Sequence, residues 1–577
     1  MTDQVKLSSQ ETIKKTSNYL KGSIAEELAD NSTPEVSDAT YELLKFHGSY
    51  FGYDRDSATE RKQKGLDKEY EFMVRMKCPG GQLTAAQYVA LDVLSEKYAN
   101  GTMRITTRET FQFHCIKKTG MKPLIADINH LLLSTLGGCG DVVRNIITCP
   151  APIKDREHAK LEEDTFLLAK HCAPKTNSYY EVWLDGERVA DYAFNPEPAA
   201  GEPLYGETYM PRKFKIALGA PDDNCMDALC NDLAILSLFE GEQQEHKGYN
   251  FALGGGLGMK HNTPKTFPYL AQNIMYVPQD LFIPATEAVI KLQRDYGDRS
   301  NRQHARLKYL VAEKGTGWIK AELEKYLGRI MDAPHPMKKW GVVDHMGWHT
   351  QGDGKWFLGV PISSGRIIDT DEMQIRTGLR AVILEYGMDI RLTADQNILL
   401  CDIEASEKPA IENILRKHGI KLKEDLSLMA KNFLACVSLP TCGKALAEAE
   451  RVAHPLIASL EEVMRRQGVI DENIAIRIAG CPNGCSRPYV GDIGIVGRTP
   501  DTYALYIGGD FEGTRLNTKV FDKVPYDLIA ASLEPMFAQW HAKREEGEGF
   551  GDFCHRIGIE GMKQATANTF LDASWVK

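Results

Sequence analysis

The feature that most constrains this chain is a pattern it carries twice. The stretch MRITTRETFQFH has polar even positions, Arg104, Thr106, Arg108, Thr110, Gln112 and His114, and its odd positions include Ile105, Phe111 and Phe113. Read as one extended strand, it alternates between two faces, one suited to a core and one carrying two guanidiniums. It follows EFMVRMKCPGG, which reads as a strand ended by Pro79-Gly80-Gly81, and TAAQYVALDVLSEKYANG, which reads as a helix closed by Gly101. Far downstream the order returns: WFLGVPISSGRI as strand and turn, MQIRTGLRAVILEYGM as helix, DIRLTADQNILLCDI as strand, with Ile390-Arg391-Leu392-Thr393 set against Met103-Arg104-Ile105-Thr106. A two-copy strand–helix–strand repeat is the plain reading, and two unrelated segments with a generic α/β pattern are its rival. Arg108 aligns with Asp395, so the cationic face is kept only once. If the copies are related, a single anionic ligand is expected to sit asymmetrically between them.

At 577 residues the chain exceeds a single core, and several domains are expected. Its 43% hydrophobic and 26% charged residues are ordinary for a soluble protein. A net charge of −10 argues against binding nucleic acid by bulk charge, so any anion site must be a local basic focus. The start, MTDQVKLSSQETIKK, has no apolar segment of a secretory signal, and no run of ~20 apolar residues suggests a membrane span. A cytoplasmic protein is expected. An amphipathic helix is expected over SSQETIKKTSNYLKGSIAEEL, and then a charged arm that wraps the rest.

Thirteen cysteines, an odd number in a chain that reads as cytosolic, point to ligand thiolates rather than disulfides. Cys436 and Cys442 form a C-x5-C pair, and Cys481 and Cys485 a C-x3-C pair. Between them KALAEAERVAHPLIASLEEVMRRQG reads as a helix interrupted at Pro455 and stopped by Gly468, returning the chain so that the pairs meet. Pro482, Asn483 and Gly484 place the second pair on a turn whose N–H groups can point at sulfur. Four such thiolates suit an iron–sulfur cube. Structural zinc also takes four cysteines, though its pairs are usually closer in sequence, and thiols that ligate nothing are the third possibility.

TCGKALAEAE with GCPNGCSRPY resembles the cluster signature of the sirohaem-dependent sulfite and nitrite reductases. TRETFQFH, PRKFK, FALGGGLG, RLTADQNILL and EEGEGFGDFCHRIGI resemble segments of assimilatory sulfite reductase haemoproteins, so the likeness spans nearly the whole chain. The resemblance implies an α+β, pseudo-twofold fold with two repeated ferredoxin-like α/β half-domains and two larger sirohaem- and cluster-binding α+β domains. The expected division is an arm (1–68), a first half-domain (69–140), a substrate and sirohaem domain (141–340), the second half-domain (341–412) and a cluster and sirohaem domain (413–577). It further implies that Cys436, Cys442, Cys481 and Cys485 hold a 4Fe-4S cluster and that Cys485 also ligates sirohaem. Sirohaem is a polycarboxylate, and a buried polyanion needs guanidiniums and hydroxyls aimed at it. Arg104, Thr106, Arg108, Gln112 and His114 are therefore expected at the macrocycle. LGGGLGMKHN is expected as a second cofactor-side loop, where Gly254, Gly255 and Gly256 let backbone N–H groups come close.

In YMPRKFKIAL, Lys213 and Lys215 share a face opposite Phe214. The resemblance places substrate-binding cations there and at Arg75 and Arg144. Lysine, whose pKa burial lowers readily, is expected to deliver protons, and arginine to orient the anion. KFK favours sulfite over nitrite, since nitrite reductases of this kind tend to lack the second lysine. No flavin or nicotinamide fingerprint is evident, so electrons must come from a partner protein. The arm and GEGFGDF resemble the NADPH-dependent branch, whose partner is a flavoprotein reductase; GWHTQGDGKWF and NILLCDI resemble the ferredoxin-dependent branch. The flavoprotein is the preferred reading. A non-catalytic zinc or iron–sulfur scaffold is the alternative from another class. The remaining cysteines, Cys78, Cys115, Cys139, Cys149, Cys172, Cys225, Cys230, Cys401 and Cys554, read as packed thiols. Cys149 is expected near the pocket, without a role.

Overall fold

The computed structural model describes residues 6–176, 202–337, 340–570 and 573–575, with two short strands, Trp183–Leu184 and Glu187–Arg188, in between. MRITTRETFQFH is not one strand. Met103–Ile105 and Phe111–Ile116 are two antiparallel strands, and Arg104 lies opposite Gln112. The chain turns between them because Thr106 N–H bonds Thr110 O at 2.9 Å and Glu109 sits in the left-handed region at φ +53°. Direct pairing across the hairpin keeps Arg104, Gln112 and His114 on one face, while Ile105, Phe111 and Phe113 are fully buried on the other. Ile390–Leu392 and Ile398–Ile403 form the same hairpin, with Thr393 N–H bonding Asn397 O at 2.9 Å and Gln396 at φ +66°.

The repeat is real, and its copies exchange edges. The first sheet runs Ser49–Tyr53, Tyr70–Arg75, Phe111–Ile116, Met103–Ile105 and ends on Arg366–Ile367 from the second copy. The second runs Gly347–Thr350, Trp356–Val360, Ile398–Ile403, Ile390–Leu392 and ends on Gln82–Leu83 from the first. Both crossing strands leave a tight 3₁₀ turn, at Pro79–Gly81 and Ser363–Gly365. A Cβ on Gly81 would lie 2.3 Å from Leu392 O, and one on Gly365 would lie 2.4 Å from Ile105 O. The two sheets and the helices Ala85–Tyr98, Lys118–His130, Ile375–Tyr386 and Lys408–Lys417 bury one continuous apolar core.

Two larger units repeat as well. Ile147–Thr148, Ile216–Gly219, Leu233–Glu240, Glu245–Leu253 and Gln272–Val277 pair in that order, two parallel pairs followed by two antiparallel ones. Leu434–Ala435, Ile476–Ala479, Ile493–Thr499, Thr502–Ile507 and Thr518–Pro525 repeat both the order and the directions. Before the third strand of each, an aspartate caps the neighbouring strand: Asp232 accepts from Lys215 N–H at 2.9 Å and Asp492 from Ala475 N–H at 2.7 Å.

Two helix expectations are corrected. The N-terminal segment forms two helices, Ser9–Thr16 and Ile24–Ala29, because Asn18, Tyr19 and Leu20 take φ +49°, +53° and +73° between them. Glu450–Arg466 runs unbroken through Pro455, which sits near the start of the helix and costs it one N–H. The arm contributes the edge strand Ser49–Tyr53 and then reaches the cysteine region, where Arg55 N–H bonds Pro440 O at 3.4 Å.

Candidate active site

The two cysteine pairs meet where the second large unit faces the half-domains. Cys436 follows the edge strand Leu434–Ala435, and its sulfur accepts from Gly480 N–H at 3.2 Å. Cys481 lies just past Ile476–Ala479, and its sulfur accepts from Asn483 Nδ2 at 3.2 Å. Burial, and then the charges of Cys485, Cys442 and Cys481, push the Cys436 thiol up, so the four sulfurs share one electrostatic neighbourhood. A single zinc would hold four sulfurs about 3.8 Å apart, from Zn–S bonds of ~2.3 Å in a tetrahedron. Among the described residues, the one group of three or more potential ligand atoms lying within 4.8 Å of one another is elsewhere, so the quartet is not drawn together as tightly as a single zinc would hold it.

Of the quartet only Cys485 is exposed. It opens onto a cavity lined also by Thr107, Arg108, Lys213, Lys215 and Arg306, with Arg487 and Asn483 at the cysteine end. Five cations around one space, in a chain of net charge −10, make the local basic focus the composition required. Arg108 reaches Ile216 O at 2.9 Å, while its Nε is buried without a hydrogen-bond partner. Arg306 is held by both oxygens of Asp232, each at 2.8 Å. Burial, then Arg108 and Arg306, drop the Lys215 ammonium to about 7. Burial, then Lys215, Arg306, Arg212 and Arg144, push Lys213 well below its ordinary value. The unpartnered buried guanidinium nitrogen and the like-charged lysines suit a polyanionic cofactor and a small anion.

Arg75, Arg104, Thr106, Gln112, His114 and Arg144 are not part of the cavity wall, although Arg75 is near enough to Cys485, and Arg144 to Lys213, for their charges to be felt. Arg75 donates to Cys139 Sγ at 3.2 Å, and with the Gln112 amide turned so that its oxygen faces Arg75, that oxygen accepts from Arg75 Nε at 3.0 Å. Arg144 is fixed by Gly140 O at 2.9 Å and Gly138 O at 3.3 Å. Thr106 Oγ1 accepts from Arg108 N–H at 3.2 Å, holding the turn that carries that arginine. Arg104 and His114 also make contacts within the chain. Arg104 pairs with Glu450 at 2.9 Å and Ala435 O at 2.9 Å, and Arg366, paired with Glu450 at 2.6 Å, donates to His114 Nδ1 at 3.3 Å. One carboxylate at a helix start thus ties both copies of the repeat to the strand before Cys436.

The glycine loop borders the cavity through Gly256, Leu257 and Gly258, but two of its N–H groups are used inside the chain. Gly254 N–H bonds Asp232 O at 2.8 Å and Gly256 N–H bonds Tyr269 O at 2.8 Å, so neither N–H is offered to the cavity. These glycines allow close packing instead: a Cβ on Gly255 would lie 2.1 Å from Leu229 O. Gly256 still lines the cavity. Cys149 points to His345 rather than to this space, whereas Cys230 lines it. Thr107, Asn231, Arg306 and Arg487 are not singled out by the sequence, and Asn483 is read there only as part of the turn. Asn483 and Arg487 lie inside the cysteine motif, whereas Arg306 sits in no recognisable pattern.

Residues 163–331 and 431–571 match the nitrite and sulphite reductase 4Fe-4S domain, and residues 64–131 and 349–418 match the nitrite/sulfite reductase ferredoxin-like half domain. The chain belongs to the nitrite and sulphite reductase family. It is an oxidoreductase, and the cofactors of its family are sirohaem and a 4Fe-4S cluster. It is 41% identical over 554 residues to an NADPH-type sulfite reductase hemoprotein beta-component of Staphylococcus saprophyticus, covering 96% of each chain. It is 38% identical over 574 residues to a ferredoxin-type sulfite reductase of Synechococcus elongatus, covering 97% of this chain and 91% of the relative. The structure of the Mycobacterium tuberculosis NirA protein has the same fold, with a TM-score of 0.79 at 24% identity over 96% of this chain and 97% of that one. Among the described residues no helix is long and apolar enough to cross a membrane.

Proposed function

We propose that the chain reduces sulfite to hydrogen sulfide by six electrons, using Cys485 as the thiolate common to a 4Fe-4S cluster and sirohaem, with electrons from a separate NADPH-dependent flavoprotein. The observation that carries this reading is the position of Cys485, a member of the cysteine quartet that also opens onto the cavity of Arg108, Lys213 and Lys215. When bound, the cofactor pair supplies the redox chemistry. The rest falls to the chain's own groups. The clustered cations concentrate a small oxyanion. Lys215, whose ammonium is dropped to about 7 by burial and neighbouring arginines in the chain alone, can give up and regain a proton more readily than an ordinary lysine, as repeated S–O cleavage demands. Arg75 and Arg144, fixed by Cys139 and by backbone carbonyls, keep their charge and orient the anion. Two adjacent lysines suit sulfite, which carries more charge than nitrite.

With a chemical reductant, the purified holoenzyme should turn over sulfite with the higher kcat/KM, and Lys215→Asn should lower the sulfite value about tenfold more than the nitrite value. Equal losses on both anions would contradict the assigned selectivity. Replacing Cys485 with Ser should abolish turnover, and wild-type rates in that variant would rule out its shared role. A ferredoxin donor is the second reading, favoured by the 38% identity to the ferredoxin-type relative. Supplying NADPH with a flavoprotein reductase in one assay and reduced ferredoxin in another separates the two.

A further inference from the structure

Outside the cavity, four ligand-type side chains converge in the interior. Cys149 follows the strand Ile147–Thr148, Asp223 and Cys225 precede the 3₁₀ turn Ala228–Cys230, and His345 precedes the strand Gly347–Thr350. Their sulfur, oxygen and nitrogen atoms all lie within 4.8 Å of one another, and all four side chains are buried.

The spacing of these atoms fits an ion site. His345 Nε2 lies 3.3 Å from Cys149 Sγ and 3.2 Å from Asp223 Oδ2. One ring nitrogen carries at most one hydrogen and cannot direct it at both. Bonds of ~2.3 Å to sulfur and ~2.0 Å to nitrogen and oxygen around a tetrahedral centre give edges of about 3.5 Å for S–N and about 3.3 Å for N–O, close to the distances found. Asp223 Oδ1 accepts from Cys225 N–H at 2.9 Å and Val343 N–H at 3.1 Å, which fixes the carboxylate and turns Oδ2 inward. Behind Cys149 stands His158, a hydrogen-bond partner of that thiol whose own Nδ1 is held by Asp155 at 2.9 Å. Such outer partners orient metal ligands. A nucleophilic Cys–His–Asp arrangement would need the aspartate on the opposite ring nitrogen, whereas here both partners face Nε2.

We propose that Cys149, Cys225, His345 and Asp223 bind one structural zinc ion. Two thiolates, an imidazole and a carboxylate suit that metal, and four protein ligands leave no open position for catalysis. The ion would clamp three segments far apart in sequence, joining the first large unit to the start of the second half-domain.

The test is metal analysis and zinc-edge X-ray absorption on iron-replete holoenzyme grown with zinc. About one zinc per chain is expected, with two sulfur and two nitrogen or oxygen neighbours. Cys149→Ser combined with Cys225→Ser should lose the zinc and keep the iron, and His345→Gln should speed its removal by a chelator at least tenfold. Less than about a tenth of a zinc per chain in iron-replete protein would overturn the proposal. So would a four-sulfur shell, the mark of zinc misplaced in the quartet, or a disulfide between Cys149 and Cys225 in the native protein. The absorption spectrum of the unsubstituted enzyme decides even if the variants fail to fold.

Discussion

Asp395 accepts a hydrogen bond from Arg487 at 2.6 Å, and through it the second copy of the repeat reaches the cavity that the first copy reaches directly with Arg108. The two aligned positions have opposite charges because one supplies a cation and the other holds one. Arg487 takes φ +57° and is further pinned by Asp227 and by Ala394 O at 3.1 Å. Arg487→Ala should lower the sirohaem content of the purified protein several-fold, read as tetrapyrrole absorbance per chain. Asp395→Asn keeps the cation and should lower it less; equal effects would mean the pairing, not the cation, matters.

Sequence patterns gave the local parts of this site and missed the long-range ones. The cysteine pairs were legible because ligand spacing is local, and KFK because alternation is: Lys213 and Lys215 both line the cavity while Phe214 is fully buried. The hairpin turns were hidden because Glu109 and Gln396 hold the left-handed positions, where glycine or asparagine would have signalled a turn. The Arg104–Glu450 pairing was not legible because the two residues are 346 apart, and no alternation pattern encodes such a contact. The Cys149 cluster was invisible for the same reason, its members being spread from 149 to 345.

Lys215 gives the anion site a pH dependence of definite sign. Its folded-state value of about 7 lies below the ordinary 10.5, so the ammonium is lost as pH rises through neutrality. In the cofactor-loaded enzyme the added negative charge moves that loss upward. KM for sulfite should therefore rise on the alkaline side, by about tenfold per pH unit at most, with kcat falling in step. Lys215→Arg, which keeps its charge, should flatten the KM profile while still lowering kcat. A KM profile that keeps its slope in that variant would assign the titration to another group.

The exchanged edges predict a matched pair of destabilised variants. Gly81 and Gly365 stand at φ +71° and +70°, each against a carbonyl of the other half-domain. Alanine at either site adds a left-handed penalty of about 1–2 kcal/mol and an overlap cost of about 1–3 kcal/mol. Both variants should lose stability by similar amounts in denaturant unfolding followed by a half-domain probe. Gly101→Ala, at φ +76° but with open space around it, should lose only the conformational part. A loss at Gly81 no larger than at Gly101 would mean the half-domains do not pack as closely as described.

Asn483 bears on the electron-accepting side. Its side-chain amide donates to Cys481 Sγ at 3.2 Å, and Gly480 N–H does the same for Cys436. A donor on a ligand sulfur offsets the negative charge that arrives with an electron, so its removal should make reduction harder. The backbone donor at Gly480 could be removed only by proline, whose Cβ would lie 1.9 Å from Ser438 Oγ, but the one at Asn483 can be removed, and its side chain is exposed enough to be replaced without opening a cavity. Asn483→Ala should therefore shift the cluster potential to more negative values in an EPR-monitored titration, with iron content and tetrapyrrole spectrum unchanged. The effect on turnover should then depend on the donor, being larger with a weak reductant than with a strong one. Because Asn483 also lines the cavity, a change in sulfite KM without a change in potential would assign it to the anion instead.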